Sequence, residues 1–185
     1  SEIKAVESTM AVLNLPDLER AVDLIADAKR VDFYGIGTSG LVALDARNKF
    51  LRINKTSLPT SDPHDQILTA TTLKPGDIAV MISYTGDTRD ILETADIIRQ
   101  TGATIISITR YSKNMLAQRS DVQLYASSSE TLIRSGAMGS RIALLTIIDV
   151  LYTCVASRDY DKVKKQLDKT RLVTMRKHVR GSRGE

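Results

Sequence analysis

Two short segments rich in glycine and hydroxyl side chains are the part of the sequence best suited to chemistry. Residues 34–40 read YGIGTSG and residues 82–88 read ISYTGDT; we call them the first loop and the second loop. Each follows a short apolar stretch and precedes a stretch with helical periodicity. Glycine lets backbone approach a ligand closely, and the free N–H groups at the start of a helix attract an anion. The pattern therefore predicts a binding site for an anionic ligand.

The candidate ligand-binding residues come from both loops. They are Gly37, Thr38 and Ser39 in the first loop, and Ser83, Tyr84, Thr85, Gly86 and Thr88 in the second. Neither loop contains lysine or arginine, and the Walker phosphate-binding pattern is absent. Neutral donors of this kind suit a phosphate monoester better than a triphosphate with magnesium. The alternative for each loop alone is that its serine and threonine side chains only cap a helix.

The first loop also matches the fingerprint of a dinucleotide-binding fold. Residues 35–40 read GIGTSG, which fits G-x-G-x-x-G, and Asp62 follows 22 residues after Gly40. Two points weigh against a dinucleotide. The predicted sheet has no catalytic domain attached to it, and the second loop has no role in that scheme.

Apolar strands that alternate with amphipathic helices predict an α/β fold. We expect a three-layer α-β-α sandwich around a five-stranded parallel sheet, because the apolar runs lack the alternation of a strand with one face in water. The expected strands are residues 31–36, 56–58, 78–83, 103–108 and 122–125. Ligands of such sheets lie at the carboxyl ends of the strands, where both loops are expected.

Composition and charge limit the function classes. A chain of 185 residues suits one domain. The net charge of +4 is unevenly spread, because residues 158–185 carry +6 and the remainder carries −2, so the basic pI does not itself indicate nucleic acid. One cysteine, Cys154, excludes an internal disulfide, and no metal or cofactor is predicted. No membrane span or signal peptide is predicted, so a cytoplasmic location is expected.

A third motif makes a family resemblance specific. Residues 130–141 read ETLIRSGAMGSR and precede an apolar helix. Together with the two loops, this motif resembles the SIS (sugar isomerase) domain, and within it the RpiR-type bacterial transcription regulators, over about residues 20–157. Ser39 matches the first-loop serine of the family. The second loop matches its S-x-S-G-x-T pattern, with Thr85 where serine is more usual, and Glu130 matches the acidic residue heading the next helix.

The resemblance implies a function and a domain organisation. It implies a linker helix at 1–20 from a helix-turn-helix domain missing here, an SIS phosphosugar-binding domain at 21–157, and a charged C-terminal helix and tail at 158–185. The ligand is then a sugar phosphate held by the two loops and Glu130, in a homodimer or tetramer, and it modulates DNA binding without catalysis. The alternative within the same family is a sugar-phosphate isomerase with Glu130 as the base.

Overall fold

The computed structural model describes residues 2–58, 62–128 and 138–175. In these ranges the helices are α1 (Glu2–Val12), α2 (Leu15–Asp27), α3 (Thr38–Arg52), α4 (Pro63–Ala70), α5 (Arg89–Thr101), α6 (Met115–Gln118), α7 (Met138–Arg158) and α8 (Tyr160–Met175). The strands are β1 (Val31–Gly35), β2 (Ile78–Ile82), β3 (Thr104–Arg110) and β4 (Val122–Ala126).

The strands form one parallel sheet in the order β1-β2-β3-β4. Gly35 at the end of β1 pairs with Ile82 at the end of β2. The two glycine- and hydroxyl-rich loops therefore leave adjacent strands at the same edge of the sheet, as the sequence predicts.

The sheet has four strands in the described residues, one fewer than the five predicted. In the segment expected to form the extra strand, Thr56 makes only an isolated bridge to Arg30. Two residues later the N–H of Leu58 donates to the Oδ1 atom of buried Asp32 at 3.0 Å, so it is not available to a strand ladder. The α/β sandwich itself is confirmed.

Strand side chains alternate between two buried faces. Phe33, Val80 and Ile106 lie in a larger core with α1, α2, α3 and α7. Tyr34 and Met81 lie in a smaller core beneath α4, α5 and α6. Because both faces are covered, β1 and β2 are buried at every position and β3 at its five central positions, whereas the edge strand β4 alternates between buried and half-buried residues.

Helix α7 is the central helix of the larger core. Six of its apolar residues are buried there: Ala143, Leu144, Ile147, Ile148, Leu151 and Val155. Among the described residues it is also the one helix long and apolar enough to cross a membrane. Its contacts with α1, α2, α3 and β4 are those of a core helix in an α/β sandwich.

Helix α1 is attached to the same core through a buried threonine. The Thr9 hydroxyl donates to the carbonyl oxygen of Ser127 at 3.0 Å and accepts from the N–H of Ser127 at 3.1 Å. Thr9 is fully buried, and α1 also packs along α7 and β4. Residues 1–20, predicted to be a linker, thus begin with a helix that is hydrogen-bonded to Ser127, directly after β4.

We expect Thr9→Val to destabilise the protein by about 1–3 kcal/mol, because it leaves the half-buried N–H and carbonyl of Ser127 without their hydrogen-bond partner in the core. At this chain length the melting temperature should fall by roughly 2–12 °C. Thermal unfolding followed by circular dichroism measures the change. Thr9→Ser keeps the hydroxyl and is the control; equal melting temperatures for the two variants would show that the hydrogen bonds contribute nothing.

Candidate functional site

The first loop is a tight turn from β1 into α3. A Cβ atom added at Gly35 would lie 2.5 Å from the carbonyl oxygen of Ser39, and one at Gly40 would lie 3.0 Å from the oxygen of Gly35. Both glycines therefore allow the first turn of α3 to sit directly on the strand end. Gly37 has a φ of +58° with open space in front of it, and Thr38 beside it is exposed. This part of the loop is open to a ligand.

The second loop is ordered by its own hydroxyl groups. Ser83 is buried, and its Oγ accepts from the N–H of Gly86 at 3.2 Å and lies 3.2 Å from the Oγ1 of Thr88. The Oγ1 of exposed Thr85 accepts from the N–H of Asp87 at 3.3 Å. The loop is therefore held in one shape by its own side chains.

Asn114 supports the second loop, although sequence reasoning did not identify it. Its Oδ1 accepts from the N–H of Ala117 and its Nδ2 donates to the Oγ1 of Thr109, at 2.8 and 2.9 Å. A Cβ atom at Gly86, whose φ is +72°, would lie 2.1 Å from that Oδ1. An asparagine ahead of a short helix is a recognisable cap, but its contact with Gly86 is visible only in three dimensions.

The helices that follow the two loops differ from their neighbours at their first residue. Helices α2, α4 and α6 are capped by the side chains of Asn14, Asp62 and Asn114. Gly37 and Thr88, the residues before α3 and α5, form no side-chain hydrogen bond that caps these helices. The structure thus does not support the alternative that the loop hydroxyls only cap these helices. Their first N–H groups remain as donors, and the helix dipole favours an anion beside them.

Two predicted site residues remain, Tyr84 and Glu130. Tyr84 is half-buried, and its hydroxyl donates to the carbonyl oxygen of Ser128 at 3.5 Å, just past β4. Glu130 lies outside the described residues. The structure therefore brings together the candidate residues of both loops, while the place of Glu130 stays a prediction.

Two buried side chains, those of Gln66 and Tyr34, form hydrogen bonds that stabilise the first loop and the end of β1. Neither was identified from the sequence. Gln66 of α4 donates from Nε2 to the carbonyl oxygen of Gly35 at 2.8 Å. The hydroxyl of Tyr34 donates to Asp32 at 3.3 Å, and burial, with the Asp32 charge second, raises the pKa of that hydroxyl well above its usual value. Tyr34 is thus a neutral donor that braces β1 at ordinary pH.

The structure gives no support to a dinucleotide or metal site at this edge. Asp62, the acidic residue required by the dinucleotide fingerprint, caps α4 by accepting from the N–H groups of His64 and Asp65. In the fingerprint this residue stands at the end of a strand. Among the described residues no group of three or more histidine, cysteine or acidic side chains could hold a metal ion.

Comparison with known families decides the assignment. The pattern of the SIS domain family matches residues 24–154, which include both loops and the third motif. The chain belongs to the SIS domain family.

One relative of this chain is an uncharacterized HTH-type transcriptional regulator from Caldanaerobacter subterraneus. It is 45% identical over 175 residues, which are 94% of this SIS chain and 62% of the regulator. The HTH-type regulator HexR of Pseudomonas aeruginosa is 37% identical over 84% of the chain and 54% of its own length. The chain thus spans less than two thirds of the curated regulators it matches.

Solved structures of regulators and of isomerases share the fold. The Vibrio vulnificus NanR protein complexed with ManNAc-6P superposes with a TM-score of 0.87 at 22% identity, covering 94% of this chain and 66% of that one. The sugar isomerase domain of an RpiR transcription factor from Sphaerobacter thermophilus superposes with a TM-score of 0.82 at 19% identity. The match covers 91% of this chain and 93% of that one. A putative sugar-phosphate isomerase from Listeria monocytogenes superposes with a TM-score of 0.82 at 24% identity. The match covers 91% of this chain and 90% of that one.

Proposed function

We propose that this chain is the phosphosugar-sensing domain of an RpiR-type transcription regulator. The observation that carries the proposal is the pair of uncapped helix N-termini, α3 and α5, which follow adjacent strands. Membership of the SIS family and the regulators among its relatives support the same function. The proposal rests on the site first and on the relatives second.

The ligand class follows from the donors. The free N–H groups at the starts of α3 and α5 would bind the phosphate, and Thr38, Ser39 and Thr85 would bind phosphate or sugar oxygens. Tyr84 and Glu130 complete the proposed set on the β4 side. Two loops without lysine or arginine fit a monoester, and the Vibrio vulnificus NanR protein, of the same fold, is complexed with ManNAc-6P.

The proposed mechanism is a shift between two conformations. A sugar phosphate that contacts both loops would stabilise the arrangement in which they face each other, by no more than its difference in affinity for the two states. A homodimer or tetramer would carry this change to a DNA-binding domain outside this chain. Residues 1–20 would serve as the connection, with α1 anchored by Thr9 near the site, in a regulator of the bacterial cytoplasm.

A thermal-shift screen with a panel of sugar phosphates tests the proposal. A ligand present at a hundred times its Kd should stabilise the chain by about 2.7 kcal/mol, a rise of roughly 5–10 °C in melting temperature. The panel includes amino sugar, N-acetylmuramate, hexose and ketodeoxy acid phosphates, and NAD serves as the dinucleotide control. A shift with NAD and none with any sugar phosphate would contradict the proposed function.

The isomerase function is the second candidate, because a putative sugar-phosphate isomerase shares the fold. Isomerisation needs a base to move a proton next to the carbonyl. The residue proposed for that role is Glu130, in the third motif. We expect no turnover of hexose or pentose phosphates in a coupled assay. Turnover that is lost in Glu130→Gln would replace the sensor proposal by the enzyme.

A further inference from the structure

A cavity lies away from the two loops, near the amino ends of the strands. It has a volume of about 330 Å³ and opens between α8 and the turn that follows α3. Its apolar wall includes Ile53, Val155 and Val163. This volume is at the lower end of the range for small-molecule sites.

The charge around this cavity is strongly one-sided. Four lysines line it against a single carboxylate, that of Asp159. The lysines are Lys55, from the turn after α3, and Lys162, Lys165 and Lys169, from one face of α8. Spacings of three and four residues place the three α8 side chains above one another along the helix. A cavity with these walls carries an excess of positive charge that no other lining residue balances.

Lys55 is the deepest of the four cations. Its ammonium donates to the carbonyl oxygens of Ala26 at 2.5 Å and Ala28 at 2.8 Å, at the end of α2. Burial lowers its pKa, and the positive charge of Lys162 lowers it further, against an opposing effect of Asp27. The cavity thus contains an ammonium group whose charged form is disfavoured both by desolvation and by the neighbouring positive charge of Lys162.

The three α8 lysines of the cavity are not neutralised by ion pairs with described residues. Arg30, Lys49, Arg119 and Arg158 each form an ion pair with an aspartate. In the described ranges no ion pair includes Lys162, Lys165 or Lys169. A bound anion would supply the counter-charge that the described residues do not provide.

We propose that this lysine-lined cavity binds a small phosphorylated anion, at a site separate from the two loops. The four lysines would contact the phosphate oxygens, and the apolar wall would cover the remainder of the molecule. A binding event here would tie α8 to the ends of α2 and α3. The inference does not depend on the phosphosugar site, because no residue of either loop lines the cavity.

Titration calorimetry with pyrophosphate tests the proposal at constant ionic strength. The parent protein carries Ser39→Ala and Ser83→Ala, which weaken phosphate binding at the two loops. Adding Lys162→Gln and Lys165→Gln should weaken pyrophosphate binding at least tenfold. Lys164→Gln is the matched control, since it removes a lysine from the same helix outside the cavity, and it should change the affinity less than twofold. All three side chains are exposed, so folding should be unaffected.

Three results would overturn the lysine site. The parent protein binds no pyrophosphate at millimolar concentration, the control loses as much affinity as the double substitution, or a DNA duplex binds through these lysines while pyrophosphate does not. The last two results would identify a diffuse basic surface or a nucleic-acid contact instead. Failure of the phosphosugar proposal is seen separately, as the absence of any sugar-phosphate shift in the unsubstituted chain.

Discussion

Replacing Gly86 with alanine is expected to lower the free energy of unfolding by about 3 kcal/mol or more. The left-handed backbone at φ +72° costs alanine about 1–2 kcal/mol. The new Cβ would also collide with the side chain of Asn114 at 2.1 Å, and overpacking of this kind adds about 1–3 kcal/mol. The melting temperature should fall by roughly 6–12 °C, as measured by calorimetry or circular dichroism. Ligand-induced stabilisation should be lost at the same time, because the second loop moves.

Gly76→Ala separates backbone strain from the collision. Gly76 also has a positive φ, +92°, but a Cβ atom there would meet nothing within 4 Å. Its replacement should cost only the backbone strain, about 1–2 kcal/mol, and leave ligand binding intact. If both variants melt at the same temperature, the contact between Gly86 and Asn114 does not support the loop as described.

The double substitution Ser39→Ala with Ser83→Ala is expected to abolish the sugar-phosphate shift. It removes one hydroxyl from each loop: that of Ser39, which is proposed to contact the ligand, and that of buried Ser83, which holds the second loop in shape. The hydrogen bond lost at Ser39, at about 1.5–3 kcal/mol to a charged phosphate, weakens binding by roughly ten- to a hundredfold, and the loss of order in the second loop weakens it further. The thermal-shift assay with the best sugar phosphate of the panel measures the loss.

The double variant should still fold. Among the described residues, no side-chain partner of Ser39 orders its loop, while Ser83→Ala removes the bonds to Gly86 and Thr88. The ligand-free melting temperature should therefore fall by only about 2–4 °C, the effect of about 1 kcal/mol. Ser157→Ala, an exposed serine at the end of α7, is the control that keeps the full shift. An undiminished shift in the double variant would show that the ligand binds elsewhere.

Local pattern was sufficient to predict the sheet and the two loops. The run at 78–82 is apolar and the isoleucines of 105–108 are buried because both faces of the sheet are covered. The glycines of the first loop are needed for the close approach of α3 to β1. The helix breaks and loop positions follow from these short-range requirements. They are therefore visible in a single sequence.

Contacts between distant segments were not predictable in the same way. The strand expected at 56–58 is reduced to one bridge because Asp32, some 26 residues earlier, takes the Leu58 N–H. Asn114 beneath Gly86, and Thr9 paired with Ser127, likewise join residues that no local pattern relates. The packing of α1 against α7 and β4 is a further long-range contact that the sequence alone did not predict.

The central claim is that two uncapped helix starts, side by side at the end of β1 and β2, hold the phosphate of a sugar phosphate. Calorimetric titration of the unsubstituted chain with the best ligand of the panel, and with the same sugar lacking its phosphate, tests it most directly. The account predicts one ligand bound per chain and at least a hundredfold weaker binding of the unphosphorylated sugar. Equal affinity for the two sugars would contradict it, because the loops would then not be a phosphate site.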